Sequence, residues 1–195
     1  MAATMGATVV AAGTLAAATD LWSGPPAPTR ARQDLGDLER LLGRDGRVDQ
    51  GRAVELARSG DRVLYGAPTG DGGYCITIGT DGGTGQCTPF DETSLEKAVW
   101  FGTEGRVDQT GGRYMGGTVF GRVTDAKAVS VEIPLPGGAP AAQVAVGRNG
   151  FFITTLPEPA WRAQLGGAET GPVTVLDAGG NSLGTFDSAG NRVAM

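Results

Sequence analysis

The stretch GGYCITIGTDGGTGQCTPF, residues 72–90, decides the fold class because two short segments of strand character flank a glycine-rich turn. In YCITI the large apolar side chains recur at every second position, which is the period of a strand with one buried face. The glycines of TDGGTG supply the positive φ angles that tight turns need, and QCTPF begins a returning strand. The segment therefore predicts an antiparallel hairpin, with Tyr74, Ile76 and Ile78 on one face and Cys75 and Thr77 on the other.

This hairpin brings the two cysteines of the chain opposite each other. Facing Cβ atoms of Cys75 and Cys87 would lie within disulfide reach, and a bridge would stabilise the fold by about 3 kcal/mol in the chain-entropy model. A metal site needs further soft ligands, but the chain has no other cysteine and no histidine. A thioredoxin-type redox switch needs C-x-x-C spacing, which is absent. The pattern predicts a disulfide and hence an oxidising compartment, with two free buried thiols as the alternative.

Composition bounds the function. The 195 residues are 40% hydrophobic and 19% charged, which is typical of one globular domain with appendages. The net charge of -5 argues against nucleic-acid binding, which needs a basic face to neutralise phosphates. The absence of histidine excludes Ser-His and Cys-His catalysis and histidine metal sites. No cofactor and no metal site are predicted.

The amino-terminal segment, residues 1–22, is uncharged up to Asp20 and rich in alanine and threonine. Its length is that of a marginal transmembrane anchor, and LAAAT offers a signal-peptide cleavage site after Ala18. No lysine or arginine precedes the apolar run, which is unusual for both. An anchor or a signal peptide is predicted, and an alanine-rich soluble helix or a disordered terminus is the alternative.

Two short regions connect this segment to the β-rich part of the chain. Residues 23–33 are proline-rich and indicate a semi-rigid linker. Residues 34–60 indicate short helices: Asp34 is a candidate N-cap, residues 53–57 form a second candidate helix, and the first carries an apolar face. That face consists of Leu35, Leu38, Leu41 and Leu42.

Residues 61–195 alternate with the period of strands and are predicted to form an extracytoplasmic β-rich domain. Strands are expected over 116–124, 129–135, 142–146 and 151–156, with a GRNG turn joining the last two as a hairpin. The fold class is therefore mainly β, either a small antiparallel β-sandwich or a barrel-like sheet. The side chains expected in its core are Val129, Val131, Ile133, Val144, Val146 and either Phe151 or Phe152.

Two long segments carry a resemblance to known proteins. The two segments lie within residues 54–185 and read ELARSGDRVLYGAPTGDGGYCITI…GQCTP and VFGRVTDAKAVSVEIPL…AQVAVGRNGFFITTLPEP…VTVLDAGGNSLG. They resemble exported or membrane-anchored β-rich proteins of high-GC Gram-positive bacteria. That group combines a two-cysteine, glycine-rich hairpin with a sandwich-like region. Ala126 and Lys127 stand where those proteins usually have glycine. The resemblance implies export and a β fold, and it implies no activity and no site residues.

Three groups of side chains are candidates for chemistry or binding. Paired carboxylates can hydrolyse glycosides, but adjacent acids are more often a solvated surface. Oxygen ligands near the carboxyl end suggest calcium, although their spacing is that of β-turns. Aromatic side chains can stack on sugars but are more often part of a core. The three groups are Asp91, Glu92 and Glu96; Asp177, Asn181, Asp187 and Asn191; and Trp100, Phe101 and Trp161.

The function expected from the sequence is that of a non-enzymatic, exported or membrane-tethered β domain. Such a domain would serve as a binding or regulatory module at the cell envelope, with an envelope component or a protein as its partner and the membrane contacted through the amino-terminal segment. A carboxylate-dependent extracytoplasmic hydrolase and a purely structural or assembly protein are the alternatives.

Overall fold

A computed structural model of the chain describes residues 22–41, 48–70, 72–79, 85–88, 99–107, 114–135, 140–147, 149–156, 172–187 and 190–193. These residues form one α-helix, a short 3₁₀ helix and eleven strands in three antiparallel sheets. The chain is mainly β, as its sequence predicts. None of the three sheets closes on itself in the described ranges, so the barrel-like alternative is not found there.

The helix and strands follow the chain in a simple order. Helix α1 spans Thr29–Leu41, and the 3₁₀ helix spans Gln50–Arg52. Sheet I contains, in spatial order, β1 (Val54–Ser59), β2 (Arg62–Pro68), β3 (Tyr74–Gly79) and β4 (Gly85–Thr88). Sheet II contains β5 (Val99–Val107), β6 (Tyr114–Val123) and β9 (Phe151–Leu156). Sheet III contains β11 (Ser182–Phe186), β10 (Val173–Leu176), β7 (Ser130–Ile133) and β8 (Ala142–Ala145).

Sheet II lies between the other two sheets and buries both of its faces. Neighbouring residues of a strand point to opposite faces, so Phe151 packs toward sheet I while Phe152 packs toward sheet III. Both phenylalanine side chains are fully buried, although the sequence pattern required only one of them in the core. On the sheet III side the shared cluster includes Val119, Val131 and Ile133.

Sheet I is covered on its outer face by α1. Ala31 and Leu35 of the helix pack with Val63 and Ala67 of β2 and with Cys75 of β3. The inner face carries Tyr74, Ile76 and Ile78, as the alternation predicts. The layers are therefore helix, sheet I, sheet II and sheet III, each held to the next by its own apolar cluster.

The proline-rich stretch is not a free linker. Residues 24–27 run along the edge of β1, where Glu55 N donates to Pro25 O at 2.8 Å and Ala27 N donates to Ala53 O at 2.8 Å. Proline suits this position because an edge segment needs few of its own N–H groups in the ladder. The helix then begins at Thr29, inside the predicted linker and five residues before the predicted N-cap Asp34.

Two helical predictions within residues 34–60 are wrong. The buried face of α1 carries Ala31, Leu35 and Glu39, spaced four apart, so Leu41 falls on the opposite side and is 84% exposed. Residues 53–57 do not form a second helix, because Val54–Ser59 is the edge strand β1. Its partner β2 is joined to it by a two-residue turn with Gly60 at φ 58°.

Two details of the carboxyl-terminal half also differ from expectation. Val129 is 43% exposed, because it precedes β7 and lies at the end of sheet III; Val146 is only partly buried. The predicted turn is marked by a hydrogen bond from Gly150 N to Gly147 O at 2.9 Å. However, β8 pairs with β7 and β9 pairs with β6, so the turn crosses between two sheets and does not close a hairpin.

The hydrophobic amino-terminal helix is predicted over residues 1–22, of which residues 1–21 lie outside the described residues. Within the described ranges, no helix combines the length and apolar character needed to cross a membrane.

Candidate functional site

The predicted disulfide is present. Cys75 of β3 and Cys87 of β4 are directly paired in the strand register, with their Cα atoms 3.9 Å apart and a bond between their Sγ atoms. Cys75 is fully buried beneath α1, and Cys87 is partly buried beside it. Gly85 permits the close approach of these elements, since a Cβ there would lie 2.6 Å from Ile76 O and 2.7 Å from a Leu38 methyl carbon.

The oxygen-bearing side chains considered as calcium candidates lie at two separate turns, as their β-turn spacing predicts. In the first, the Asp177 carboxylate accepts hydrogen bonds from the backbone N–H groups of Gly179 and Asn181 and from the Asn181 side chain. In the second, the Asp187 carboxylate accepts them from the backbone and side chain of Asn191. These carboxylates therefore close their own turns. Among the described residues, no group of three or more Cys, His, Asp or Glu side chains converges to hold a metal ion.

The backbone amide of Asn181, then its side chain, lowers the pKa of Asp177 below its ordinary value. Hydrogen bonds to the ionised carboxylate favour the charged form. Asp177 is solvent-exposed, so this network organises the β10–β11 turn and does not create a reactive carboxylate.

The remaining sequence candidates are distributed over the chain. Trp100 and Phe101 lie in β5, where their backbones pair with Arg122 and Gly121 of β6. The proposed carboxylate group Asp91, Glu92 and Glu96 lies outside the described residues, as does Trp161.

A cluster of aromatic rings and one cation lies where the chain enters the fold. The Trp22 ring centroid is 6.1 Å from that of Tyr74, and the Tyr74 ring meets Phe151 edge-on with centroids 5.9 Å apart. The Arg122 guanidinium carbon lies 5.5 Å from the Phe151 centroid, within the range of a cation–π contact. We call these four residues, Trp22, Tyr74, Phe151 and Arg122, the junction cluster.

The electrostatics of the junction cluster centre on Arg122. The side chain is only partly exposed, and its Nε atom is buried with no hydrogen-bond partner within the described residues. Burial lowers the pKa of the Arg122 guanidinium, and the neighbouring Tyr74 opposes that shift. An arginine remains charged at any physiological pH. The cluster therefore holds a fixed positive charge in a poorly solvated position.

An open cleft of about 320 Å³ lies beside β1. It is lined by residues 23–25, residues 55–57 and Asn149. On its rim, Arg58 Nη2 contacts Glu55 Oε2 at 2.6 Å. The Glu55 carboxylate is engaged by this ion pair and is not a free acid facing the cleft.

The junction cluster could not be recognised from sequence. Its residues come from the chain entry, β3, β6 and β9, and no local spacing connects positions 22, 74, 122 and 151. Alternation places Tyr74 and Phe151 on strand faces, but it does not bring them to Trp22 or Arg122.

Comparisons of the chain with protein-family models, with curated proteins and with solved structures gave no match.

Proposed function

We propose that this chain is an extracytoplasmic β-sandwich module, held at the membrane or released outside it through its amino-terminal segment, which binds a component of the cell envelope and carries out no catalysis. The observation that carries the proposal is the disulfide between Cys75 and Cys87. Such bonds persist in oxidising compartments and are rare where thiols are kept reduced.

The packing of Trp22 and residues 24–27 against sheet I supports a fixed attachment of the fold to the amino-terminal segment. Residues 24–27 are hydrogen-bonded to β1, and Trp22 packs against the inner cluster of sheet I. An anchor formed by residues 1–21 would therefore be joined to the fold with no flexible spacer. This arrangement suits a module that must hold a defined orientation close to a membrane.

Four of the described carboxylates are engaged within the fold, which supports binding over hydrolysis. Glu55 pairs with Arg58, Asp177 and Asp187 close their turns, and Glu39 accepts a hydrogen bond from Val48 N at 2.8 Å. A carboxylate-dependent hydrolase needs two acids that face a common space. The resemblance to exported β-rich proteins points to the same compartment.

Fractionation combined with surface proteolysis tests this proposal. Cells producing the chain with a carboxyl-terminal epitope are treated with protease while intact, and the epitope is followed in the membrane, soluble and medium fractions. The proposal expects loss of the epitope from intact cells or its recovery in the medium. A protected epitope in the soluble cytoplasmic fraction, with an intact amino terminus, would refute it.

A further inference from the structure

The side chain of Arg122 occupies an unusual position for a cation. It projects from β6 on the same face as Phe120, into the layer between sheets I and II, where its neighbours are Phe151 and Tyr74. Both of these aromatic residues are fully buried. A guanidinium is weakly hydrated and stacks well on aromatic faces, so this position is tolerated, but it removes much of the water that would otherwise surround the charge.

No counter-charge for Arg122 is found in the described part of the chain. The ion pairs there join Arg30 to Asp34, Arg40 to Asp37 and Arg58 to Glu55. The buried Nε atom of Arg122 likewise has no hydrogen-bond partner there. Desolvating a charge without pairing it is costly, and a protein that keeps such a group usually gains an interaction from it.

The location of the unpaired charge indicates its ligand. Arg122 belongs to the same cluster as Trp22, the first described residue after the apolar segment. Tryptophan is enriched at the level of lipid headgroups, and the positive fork of arginine matches the oxygens of a phosphate. We propose that Arg122 is a phosphate-binding site at the membrane-facing end of the module, in the same junction cluster as Trp22.

This inference rests on the proposed attachment at the membrane. The phosphate can belong to an anionic phospholipid or to free inorganic phosphate, since both offer the same oxygens to the guanidinium. Lipid binding would fix the orientation of the fold on the bilayer. The partial exposure of the Arg122 side chain gives a ligand access from one side.

Thermal unfolding of the full-length chain in a non-ionic detergent measures the site directly. Sodium phosphate is titrated against sodium chloride at matched ionic strength. A second arm compares protein reconstituted in phosphatidylglycerol vesicles with protein in vesicles of a galactolipid that contains no phosphate. The variants are Arg122→Gln, Arg122→Lys and the control Arg52→Gln, which removes an exposed charge from the 3₁₀ helix.

A tenfold excess of phosphate over its Kd should raise Tm by about 3–6 °C in the wild-type chain. Arg52→Gln should show the same rise, Arg122→Lys a smaller one and Arg122→Gln none. If Arg122→Gln does not fold, the reduced response of Arg122→Lys relative to Arg52→Gln decides the question. A higher Tm in phosphatidylglycerol than in galactolipid, lost in the Arg122 variants, identifies the lipid as the source.

Equal Tm values in the two vesicles, with a retained response to inorganic phosphate, would identify the free ion as the ligand. Two results would overturn the site. Absence of any phosphate response in the wild-type chain would mean that the charge is satisfied within the protein. An equal response in Arg122→Gln would place the phosphate elsewhere. Both are independent of the fractionation result, which tests the attachment to the membrane separately.

Discussion

At the residue scale, Gly150 shows how one position connects two sheets. Its backbone has φ 81°, its N–H donates to Gly147 O, and its carbonyl accepts from Val123 N at 2.8 Å. A Cβ atom at this position would lie 2.1 Å from Val123 O, which is far inside contact distance. Glycine is therefore required both for the backbone conformation and for the close approach of the turn to β6.

Gly150→Ala should lower the free energy of unfolding by about 2–4 kcal/mol, because it adds a steric clash to an unfavourable φ angle. Gly60→Ala is the matched control: Gly60 has φ 58°, but nothing lies within 4 Å of the position that a Cβ atom would take there. That variant should lose only about 1 kcal/mol. Chemical denaturation of both variants measures the difference, and equal losses would show that the contact with Val123 is unimportant.

Asp177 should make the β10–β11 turn sensitive to acid. Its pKa is lowered in the folded protein, so its contribution to stability is present above its unfolded pKa and is lost as the pH falls through the folded value. Asp177→Asn should be less stable than the wild-type chain at neutral pH, and the difference should disappear in strong acid. Denaturation across a pH series checks this. A difference that persists unchanged in acid would show that the ionised carboxylate is not responsible.

At the element scale, alternation and turn residues predict most of the strands but do not identify which strands pair with each other. The hairpins β2–β3, β3–β4 and β10–β11 follow from local alternation and turn residues. The short apolar pattern of β1 fits both the helical and the strand period, so a helix is wrongly predicted there although β1 pairs with its sequence neighbour β2. The turn between β8 and β9 is predicted correctly, but the hairpin is not. The packing of whole sheets pairs β8 with β7 and β9 with β6.

Val131 and Val129 form a matched pair that tests the assignment of faces. Val131 is fully buried between sheets II and III, whereas Val129 is 43% exposed at the end of the same sheet. Val131→Asp should lower the free energy of unfolding by more than about 3 kcal/mol, because it places an unpaired charge in the core. Val129→Asp should change it by about 0.5 kcal/mol or less. Similar losses in urea denaturation would contradict the register of β7.

At the scale of the whole molecule, the layers account for what the sequence could not reveal. The sequence predicts a small antiparallel β-sandwich or a barrel-like sheet, whereas the consecutive Phe151 and Phe152 are buried on opposite faces of sheet II, between sheets I and III. The disulfide was predictable because its residues lie on one hairpin. The junction cluster was not, because Trp22, Tyr74 and Arg122 meet only after these layers have stacked.

Removal of the disulfide should affect the whole fold, since β3 and β4 lie beneath α1. Closing a loop with a sequence separation of 12 residues stabilises by about 3 kcal/mol, so Cys75→Ser should lower Tm by about 6–12 °C. The double variant Cys75→Ser, Cys87→Ser controls for the free Cys87 thiol that the single variant leaves. It should show the same decrease in Tm as the single variant. Differential scanning calorimetry under non-reducing conditions measures this. An unchanged Tm would mean that the bond is not needed to hold sheet I.

We propose above that the chain works outside the cytoplasm as a disulfide-bonded module. The most direct test of this proposal is the thiol state of the protein in the cells that produce it. Cells are quenched in acid, free thiols are alkylated before any reduction, and each fraction is analysed by mass spectrometry. The account predicts unalkylated Cys75 and Cys87 joined in one intramolecular bond, in protein from the membrane fraction or the medium. Alkylation of both cysteines in protein from the soluble cytoplasmic fraction would contradict it.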